Sequence, residues 1–195
     1  MTRLMVGMGE IGVMHPGNAG IVTALGTFGA SPCVILGIQK GTTVLLAHIH
    51  RANDLRLVMQ QVRDILRDAL PAQATARAFI ATETYTGPAP GEAKVQDVMI
   101  TLLEAKLIEL GIRLIEKNRT RSAAVISYEA GYKLSGDDAF NFGPQEVQDI
   151  IKWTEAYDKR FRGRTGELPM AIRVGINFED PEAAVSRLYP QVRVG

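Results

Sequence analysis

Two apolar runs joined by a short turn decide the fold of this chain, and they lie in residues 33–48, which read CVILGIQKGTTVLLAH. Val, Ile, Leu and Thr dominate both runs, and Gln39-Lys40-Gly41 separates them, a pattern that predicts two β-strands. If the two strands are neighbours in one sheet, Cys33 at the start of the first and His48 at the end of the second lie near the same rim. A thiol and an imidazole in such positions are the two groups that cysteine catalysis requires, a nucleophile and its general base.

The single cysteine has an ordinary structural interpretation as well. Cys33 is the only cysteine in the chain, and a lone cysteine is commonly a small buried apolar side chain. A histidine that ends an apolar strand is commonly a half-buried polar cap. The loop before Cys33 favours chemistry, because Gly26, Gly29 and Pro32 allow backbone N–H groups to approach a reacting carbonyl. From the residues alone, both interpretations stay open.

Length and composition predict one globular domain. The chain has 195 residues, of which 46% are hydrophobic and 22% charged, enough to bury a full core without disulfides or a structural metal. The formal net charge of +1 provides no strong field for nucleic acid or an anionic membrane surface. No signal-peptide pattern or long apolar run is visible. We therefore expect a cytoplasmic protein that does not insert into membranes and does not bind nucleic acid.

A glycine-rich segment near the start matches the dinucleotide-binding fingerprint in letters. It spans Gly7–Gly12 and follows the short strand predicted at Leu4–Val6. The fingerprint requires a helix that begins within the motif and directs its amides at a pyrophosphate. Here Pro16 and Gly17 follow too soon for a helix to continue. The segment therefore predicts a strand and a glycine-rich turn.

The rest of the chain predicts an α/β (α+β) fold, in which a β-layer or sandwich is covered by helices. Further strands are expected at Ile21–Leu25, Ala76–Ala81, Ile112–Ile115, Ala123–Ser127 and Met170–Phe178. Helices are expected from Asn53 or Asp54 to Pro71, from Glu92 to Leu110, from Pro144 through Phe161, and from Pro181 to Leu188. The inward face of the second helix is predicted to carry Val95, Val98, Met99, Leu102, Leu103 and Leu110.

Four segments resemble the CheD family of chemoreceptor glutamine deamidases. They are Gly7–Met14, Ile21–Thr23, Thr27–Val34 and Ala47-His48; that family has a G-x-G-E motif, a nucleophile loop T-L-G-x-G-S-C-V and an A-H histidine. Weaker similarity continues at Pro90-Gly91, Asn141–Gly143 and Ile172–Val174. The resemblance implies one CheD-like domain over residues 1–195, with an insertion at about residues 51–86.

The resemblance also implies a reaction and assigns residues to it. Cys33 would be the nucleophile and His48 its base, and Thr27 would orient the imidazole, with Thr23 as the alternative. Loop amides near Cys33, around Gly29 and Ser31, would hold the oxyanion. The products would be glutamate and ammonia, formed through a thioester without a cofactor. The partner would be a protein that presents a glutamine side chain, and a regulatory protein partner is also compatible.

Two other functions stay open. His48 and His50 form an H-x-H pair, which on a strand points to one face and can bind zinc with a third ligand, either Cys33 or His15. The second is a catalytically silent binding module with the same fold. In that case the amphipathic helix over Leu55–Leu70 packs on the core, covers the site or docks a partner.

Overall fold

A computed structural model of the chain describes residues 2–15, 22–128, 131–135 and 140–174. The strands in these ranges are β1 (Arg3–Met5), β2 (Glu10–Met14), β3 (Ala24–Thr27), β4 (Val34–Lys40), β5 (Thr43–Ile49), β6 (Ala76–Ala81), β7 (Arg113–Asn118), β8 (Ala123–Ser127), β9 (Gly131–Ser135) and β10 (Ala171–Arg173). The helices are α1 (Leu55–Arg67), α2 (Pro90–Glu109) and α3 (Pro144–Phe161). The predicted mixed α/β class is confirmed, and the helix expected over Pro181–Leu188 lies outside the described residues.

The strands form two mixed sheets. The smaller has the order β1-β3-β8-β9, and the larger has the order β10-β2-β5-β4-β6-β7. The apolar runs of residues 33–48 become β4 and β5, which pair antiparallel with Ile35 opposite His48. The segment 51–86 supplies α1 and also β6, which lies between β4 and β7 inside the larger sheet.

The alternation of side chains along β4 and β5 creates two apolar layers. Val34, Leu36 and Ile38 point to one face of the larger sheet and pack with α1 and α2. Ile35 points to the other face, where it joins Leu25 of β3 and other residues of the smaller sheet. The fold is therefore a two-sheet sandwich with helices on the outer face of the larger sheet. Any side chain on the Ile35 face lies in the layer between the sheets.

Helix α1 belongs to the helical layer. Its N-terminus is capped by Asp54, whose carboxylate accepts the N–H of Arg56 at 2.8 Å. It buries Val58, Met59, Val62 and Leu66 against the outer face of the larger sheet. Because it packs on that outer face, α1 takes the core-packing role and does not cover the inter-sheet layer, and docking of a partner on its other face stays a prediction.

The buried face of α2 differs from the predicted one. The residues that it buries are Gln96, Met99, Ile100, Leu103 and Leu107. Val98 and Leu102, which were expected inside, are 55% and 46% exposed. Apolar residues occupy nearly every side of this helix, so the apolar spacing alone does not select one face. Gln96 is buried because it finds hydrogen-bond partners there.

The glycine-rich segment forms a turn and then the strand β2, with no helix inside the fingerprint. Helix α3 packs directly on that turn. A side chain at Gly7 would lie 2.3 Å from the ring of Trp153, and one at Gly9, where φ is +77°, would lie 2.2 Å from the ring of Tyr157. The glycines therefore permit close approach of a helix to the turn, not of a nucleotide phosphate. No helix of the described part of the chain is long and apolar enough to cross a membrane.

Candidate active site

His48 is held by a threonine from the opposite sheet. Its Nδ1 lies 2.8 Å from Oγ1 of Thr27. His48 belongs to β5 of the larger sheet and Thr27 to β3 of the smaller one, so this contact spans the inter-sheet layer. Thr27 is fully buried and His48 is 2% exposed. Thr23, the alternative partner, is exposed, and its hydroxyl donates to the carbonyl of Thr2 at 3.3 Å. The structure thus brings Thr27, and not Thr23, to the imidazole.

The hydrogen bonds of Thr27 determine which nitrogen of His48 carries the proton. The Thr27 hydroxyl has one hydrogen and donates it to the carbonyl of Val6, 2.6 Å away. The remaining contact at Oγ1 must then be accepted from His48, so Nδ1 carries the hydrogen of the neutral ring. Nε2 is left as a lone-pair acceptor, and it is buried without a partner among the described residues. This is the tautomer that a general base needs.

Cys33 shares the inter-sheet layer with His48. It precedes β4 by one residue and packs in the cluster that contains Ile35. If the β4–β5 register is continued, Cys33 lies diagonally across from His48, and such neighbours are typically about 7 Å apart at Cβ. Because Nε2 has no partner, the sulfur does not form a hydrogen bond with it in this state. The structure brings the two side chains to one face without joining them.

Burial keeps both groups neutral. Desolvation, together with the negative charges of Asp158 and Glu92, raises the pKa of the Cys33 thiol to about 12, against the opposing effect of Arg51. Desolvation and the neighbouring His50 lower the pKa of His48 to about 3. Near neutral pH the pair is therefore a thiol and a neutral imidazole, and not a thiolate with an imidazolium.

In the loop before Cys33, backbone N–H groups donate hydrogen bonds to backbone carbonyls. Gly29 has a φ of +77°, the left-handed conformation in which glycine is unstrained. The N–H of Ala30 donates to the carbonyl of Ser122 at 3.1 Å, and that of Ser31 donates to the carbonyl of Gly29 at 2.9 Å. The amides of Ala30 and Ser31 already have acceptors in this state, and the oxyanion role of Gly29 and Ser31 stays a prediction.

Two buried polar residues that we did not predict hold this loop. Thr82, at the end of β6, places its hydroxyl 2.9 Å from the carbonyl of Ala30 and 2.7 Å from that of Cys33. Gln96 of α2 donates its amide to the same hydroxyl at 2.7 Å. The only sequence indication was a glutamine within the apolar pattern of α2. That pattern was ambiguous, as described above.

The glycine-rich turn supports the backbone of His48. Gly9 donates its N–H to the His48 carbonyl at 2.8 Å, and Gly7 donates to Oε2 of Glu10 at 2.7 Å. Burial raises the pKa of the Glu10 carboxyl, although the guanidinium of Arg173 pairs with it and opposes the shift. The glycine-rich segment Gly7–Gly12 therefore supports the end of β5 through a backbone hydrogen bond.

His50 is positioned separately from His48. Its Nδ1 accepts the N–H of Ala52 at 3.2 Å, and its ring packs edge-on against Tyr157 at 5.5 Å between centroids. Burial, and then the charge of Arg51, lower the pKa of His50 to about 4. His15 lies four residues beyond the Ile11–Ala47 pair, next to Thr43 at the far end of β5. Within the described ranges, no group of three or more His, Cys, Asp or Glu side chains is arranged to hold a metal ion.

Comparison with known proteins adds no assignment. No protein-family profile matches the chain, and a search of curated proteins finds no match. The resemblance to the CheD family therefore depends on the segments quoted from the sequence and stays a prediction.

Proposed function

We propose that this protein is a cysteine-dependent protein-glutamine deamidase. The observation that carries the proposal is the 2.8 Å hydrogen bond between Thr27 Oγ1 and His48 Nδ1. It leaves Nε2 as a free acceptor on the face that carries Cys33. A base held in one tautomer beside a lone thiol is the arrangement that nucleophilic catalysis by cysteine requires. The CheD-like segments give the same three residues the same roles.

In the proposed reaction, Nε2 of His48 takes the Cys33 proton while the sulfur forms a bond to the carboxamide carbon of glutamine. The carbonyl electron pair moves to oxygen and gives a tetrahedral intermediate. The imidazolium then donates its proton to the departing nitrogen, so the C–N bond breaks and ammonia leaves. A thioester remains. His48 next removes a proton from water, the hydroxide attacks the thioester, and the C–S bond breaks to give glutamate and the restored thiol.

A protein substrate has to open the site before it reacts. Cys33 and His48 are each 2% exposed. The charges that act on the thiol come from Asp158 on α3 and from Glu92 on α2, which pairs with Arg51. These are the charged side chains that act on the thiol. Opening of the buried site would admit water and substrate, and it would reduce the desolvation that keeps the thiol and the imidazole neutral.

The pH dependence of Cys33 alkylation tests the proposal without a substrate. Because Nε2 of His48 accepts the proton of the thiol, the rate of Cys33 alkylation by iodoacetamide should depend less steeply on pH than that of an unassisted thiol, which rises about tenfold for each pH unit. In His48→Ala only free thiolate should react, so the rate should rise about tenfold for each pH unit. His15→Ala, which changes a histidine at the far end of β5, should behave as the wild type.

The contrasting result defines the second candidate, a silent binding module. It is favoured by one observation: Nε2 of His48 has no partner, so the sulfur is not bonded to it in the closed site. A wild-type rate that rises tenfold per pH unit and is unchanged in His48→Ala would identify Cys33 as a core residue. A covalent adduct of Cys33 with a glutamine-mimicking electrophile would exclude the silent module.

A further inference from the structure

The buried polar contacts of the nucleophile loop continue from Cys33 to helix α2. The hydroxyl of Thr82 lies within hydrogen-bond distance of two carbonyls, that of Ala30 at 2.9 Å and that of Cys33 at 2.7 Å. These two residues bracket the turn through Ser31 and Pro32. Thr82 is fully buried. One side chain therefore lies against both ends of the segment that presents the thiol, and its single hydrogen has the Cys33 carbonyl as its nearest acceptor.

Gln96 determines the direction in which the Thr82 hydroxyl points. Its Nε2 donates to Thr82 Oγ1 at 2.7 Å and to the carbonyl of Glu83 at 2.9 Å. With Oγ1 acting as an acceptor for the amide, the single hydrogen of the hydroxyl is left for a carbonyl, and that of Cys33 at 2.7 Å is nearer than those of Ala30 at 2.9 Å and Glu83 at 3.3 Å. Gln96 is itself fully buried, and an amide is buried so completely only when its hydrogen bonds are made.

The orientation of the Gln96 amide is set by its other neighbours. Its Oε1 accepts the N–H of Tyr85 at 3.2 Å and lies 3.4 Å from a guanidinium nitrogen of Arg119. A reversed amide would direct an NH₂ group at these two donors and an oxygen at the Glu83 carbonyl. Donors on one side and acceptors on the other leave one favourable orientation.

We infer that Thr82 and Gln96 are positioning residues that hold the Cys33 thiol on the face of the sheet that carries Nε2 of His48. This inference rests on the proposed function and assigns the positioning to the Thr82–Gln96 pair. The Thr27 contact fixes the base from the smaller sheet, whereas Thr82 fixes the nucleophile from the larger sheet and α2. Neither Thr82 nor Gln96 is adjacent to Cys33 in sequence, and the pair acts through the Cys33 carbonyl without touching the reacting atoms.

Such positioning has a measurable consequence for the coupling between the two reacting groups. We define the coupling as the alkylation rate of Cys33 divided by its rate in the same protein carrying His48→Ala, both at neutral pH. Misplacing a reacting group by about 1 Å costs up to about 100-fold in rate. A thiol released from Thr82 should thus lose most of its dependence on His48, even when the protein remains folded.

Four variants test the inference by this ratio. Thr82→Val keeps the shape and removes the hydroxyl, and we expect it to reduce the coupling about tenfold or more. Thr82→Ser keeps the hydroxyl and should retain the coupling. Gln96→Leu should reduce it through loss of the donor to Thr82. Thr43→Val removes another buried threonine hydroxyl of the larger sheet, far from Cys33, and should leave the ratio unchanged.

The outcomes separate the inference from the proposed function. A wild type without coupling would overturn both. A coupled wild type whose ratio survives in a folded Thr82→Val or Gln96→Leu protein would overturn the positioning role alone. If both of these variants fail to fold, Thr82→Ser decides, because loss of coupling in that folded variant would contradict a role for the hydroxyl. Circular dichroism and thermal unfolding of each variant establish that it is folded.

Discussion

The hydroxyl of Thr27 lies between two groups that compete for its single hydrogen. The Val6 carbonyl can only accept, so it takes that hydrogen, and the imidazole must supply its own. The base is thus prepared by an uncharged contact, with no carboxylate on Nδ1. A neutral partner leaves the pKa of His48 low after burial, because no negative charge stabilises the imidazolium.

Replacement of Thr27 tests this contact. Thr27→Val leaves the Nδ1–H of His48 and the Val6 carbonyl buried without partners, which we expect to lower the free energy of unfolding by about 1–3 kcal/mol. It should also reduce the dependence of Cys33 alkylation on His48, since the ring is free to turn. Thr27→Ser should preserve both properties. Urea unfolding and the alkylation assay measure them, and an unchanged Thr27→Val protein would contradict the assignment.

Burial of two neutral histidines predicts acid sensitivity. The pKa of His48 is lowered from 6.5 to about 3 and that of His50 to about 4. As the pH falls below 6.5, the histidines are protonated in the unfolded chain but stay neutral in the folded protein. The free energy of unfolding therefore decreases by about 1.4 kcal/mol per pH unit for each proton taken up. His48→Asn retains an N–H donor for Thr27 and removes one titrating group. Urea unfolding between pH 6.5 and pH 4 should show a shallower slope for this variant, and equal slopes would contradict the pKa shift.

At the residue scale, what could be predicted follows from side-chain chemistry. Cys33 and His48 attract attention as the lone thiol and a strand-end imidazole, and the CheD-like spacing singled out Thr27. Thr82 and Gln96 could not be singled out, because their importance depends on which carbonyls approach them in three dimensions. A hydroxyl and an amide have no sequence pattern of their own for this role.

At the scale of elements, apolar spacing predicted some boundaries better than others. The strands β6 and β8 have the predicted bounds, Ala76–Ala81 and Ala123–Ser127. The strand β9 was not predicted, because Gly131–Ser135 contains only two apolar residues, Tyr132 and Leu134, which pack at the margin of the inter-sheet cluster. The buried face of α2 was predicted wrongly because the helix is apolar on several sides. Spacing locates an element, and it selects a face only when the opposite face is polar.

The packing of α3 on the glycine-rich turn gives a test at this scale. Gly7→Ala places a methyl group 2.3 Å from the ring of Trp153, so the ring and α3 must move. We expect a loss of about 1–3 kcal/mol in the free energy of unfolding and a shift in the emission of Trp153, the only tryptophan. Gly91→Ala at the start of α2 meets nothing within 4 Å and should be neutral or slightly stabilising. Equal effects of the two substitutions would contradict the close contact.

On the scale of the whole molecule, the fold has two distinct layers, the outer helical layer on the larger sheet and the layer between the two sheets. The outer layer buries the larger apolar cluster, and the inter-sheet layer holds the polar groups of the site. The mixed class and the sandwich with helices could be predicted from strand and helix patterns. The strand order could not, since β6 joins β4 and β7 through contacts that local spacing does not encode.

One arginine connects the smaller sheet to α3 and tests how the parts are joined. Arg3 of β1 donates to both carboxylate oxygens of Glu146 at 3.0 and 2.9 Å and to the carbonyls of Phe140 and Asn141. Arg3→Lys loses the forked geometry, and we expect a decrease of about 1–3 kcal/mol in the free energy of unfolding. Arg56→Lys, at a side chain that is 83% exposed, should change it by less than about 0.5 kcal/mol. Thermal unfolding compares the two, and equal effects would contradict the connecting role of Arg3.

The parallel pairing of β10 with β2 has a consequence for the order in which the protein is made. Ala171 pairs with Glu10, so a ribosome that synthesises about 5–20 residues per second needs roughly 10–30 s to deliver this partner after β2 emerges. During that interval the edge of β2 that will pair with β10 is open to incorrect pairing. Glu10 lacks the ion pair with Arg173 over the same time. The turn that supports His48 is therefore synthesised well before the strand and the arginine that complete its native surroundings.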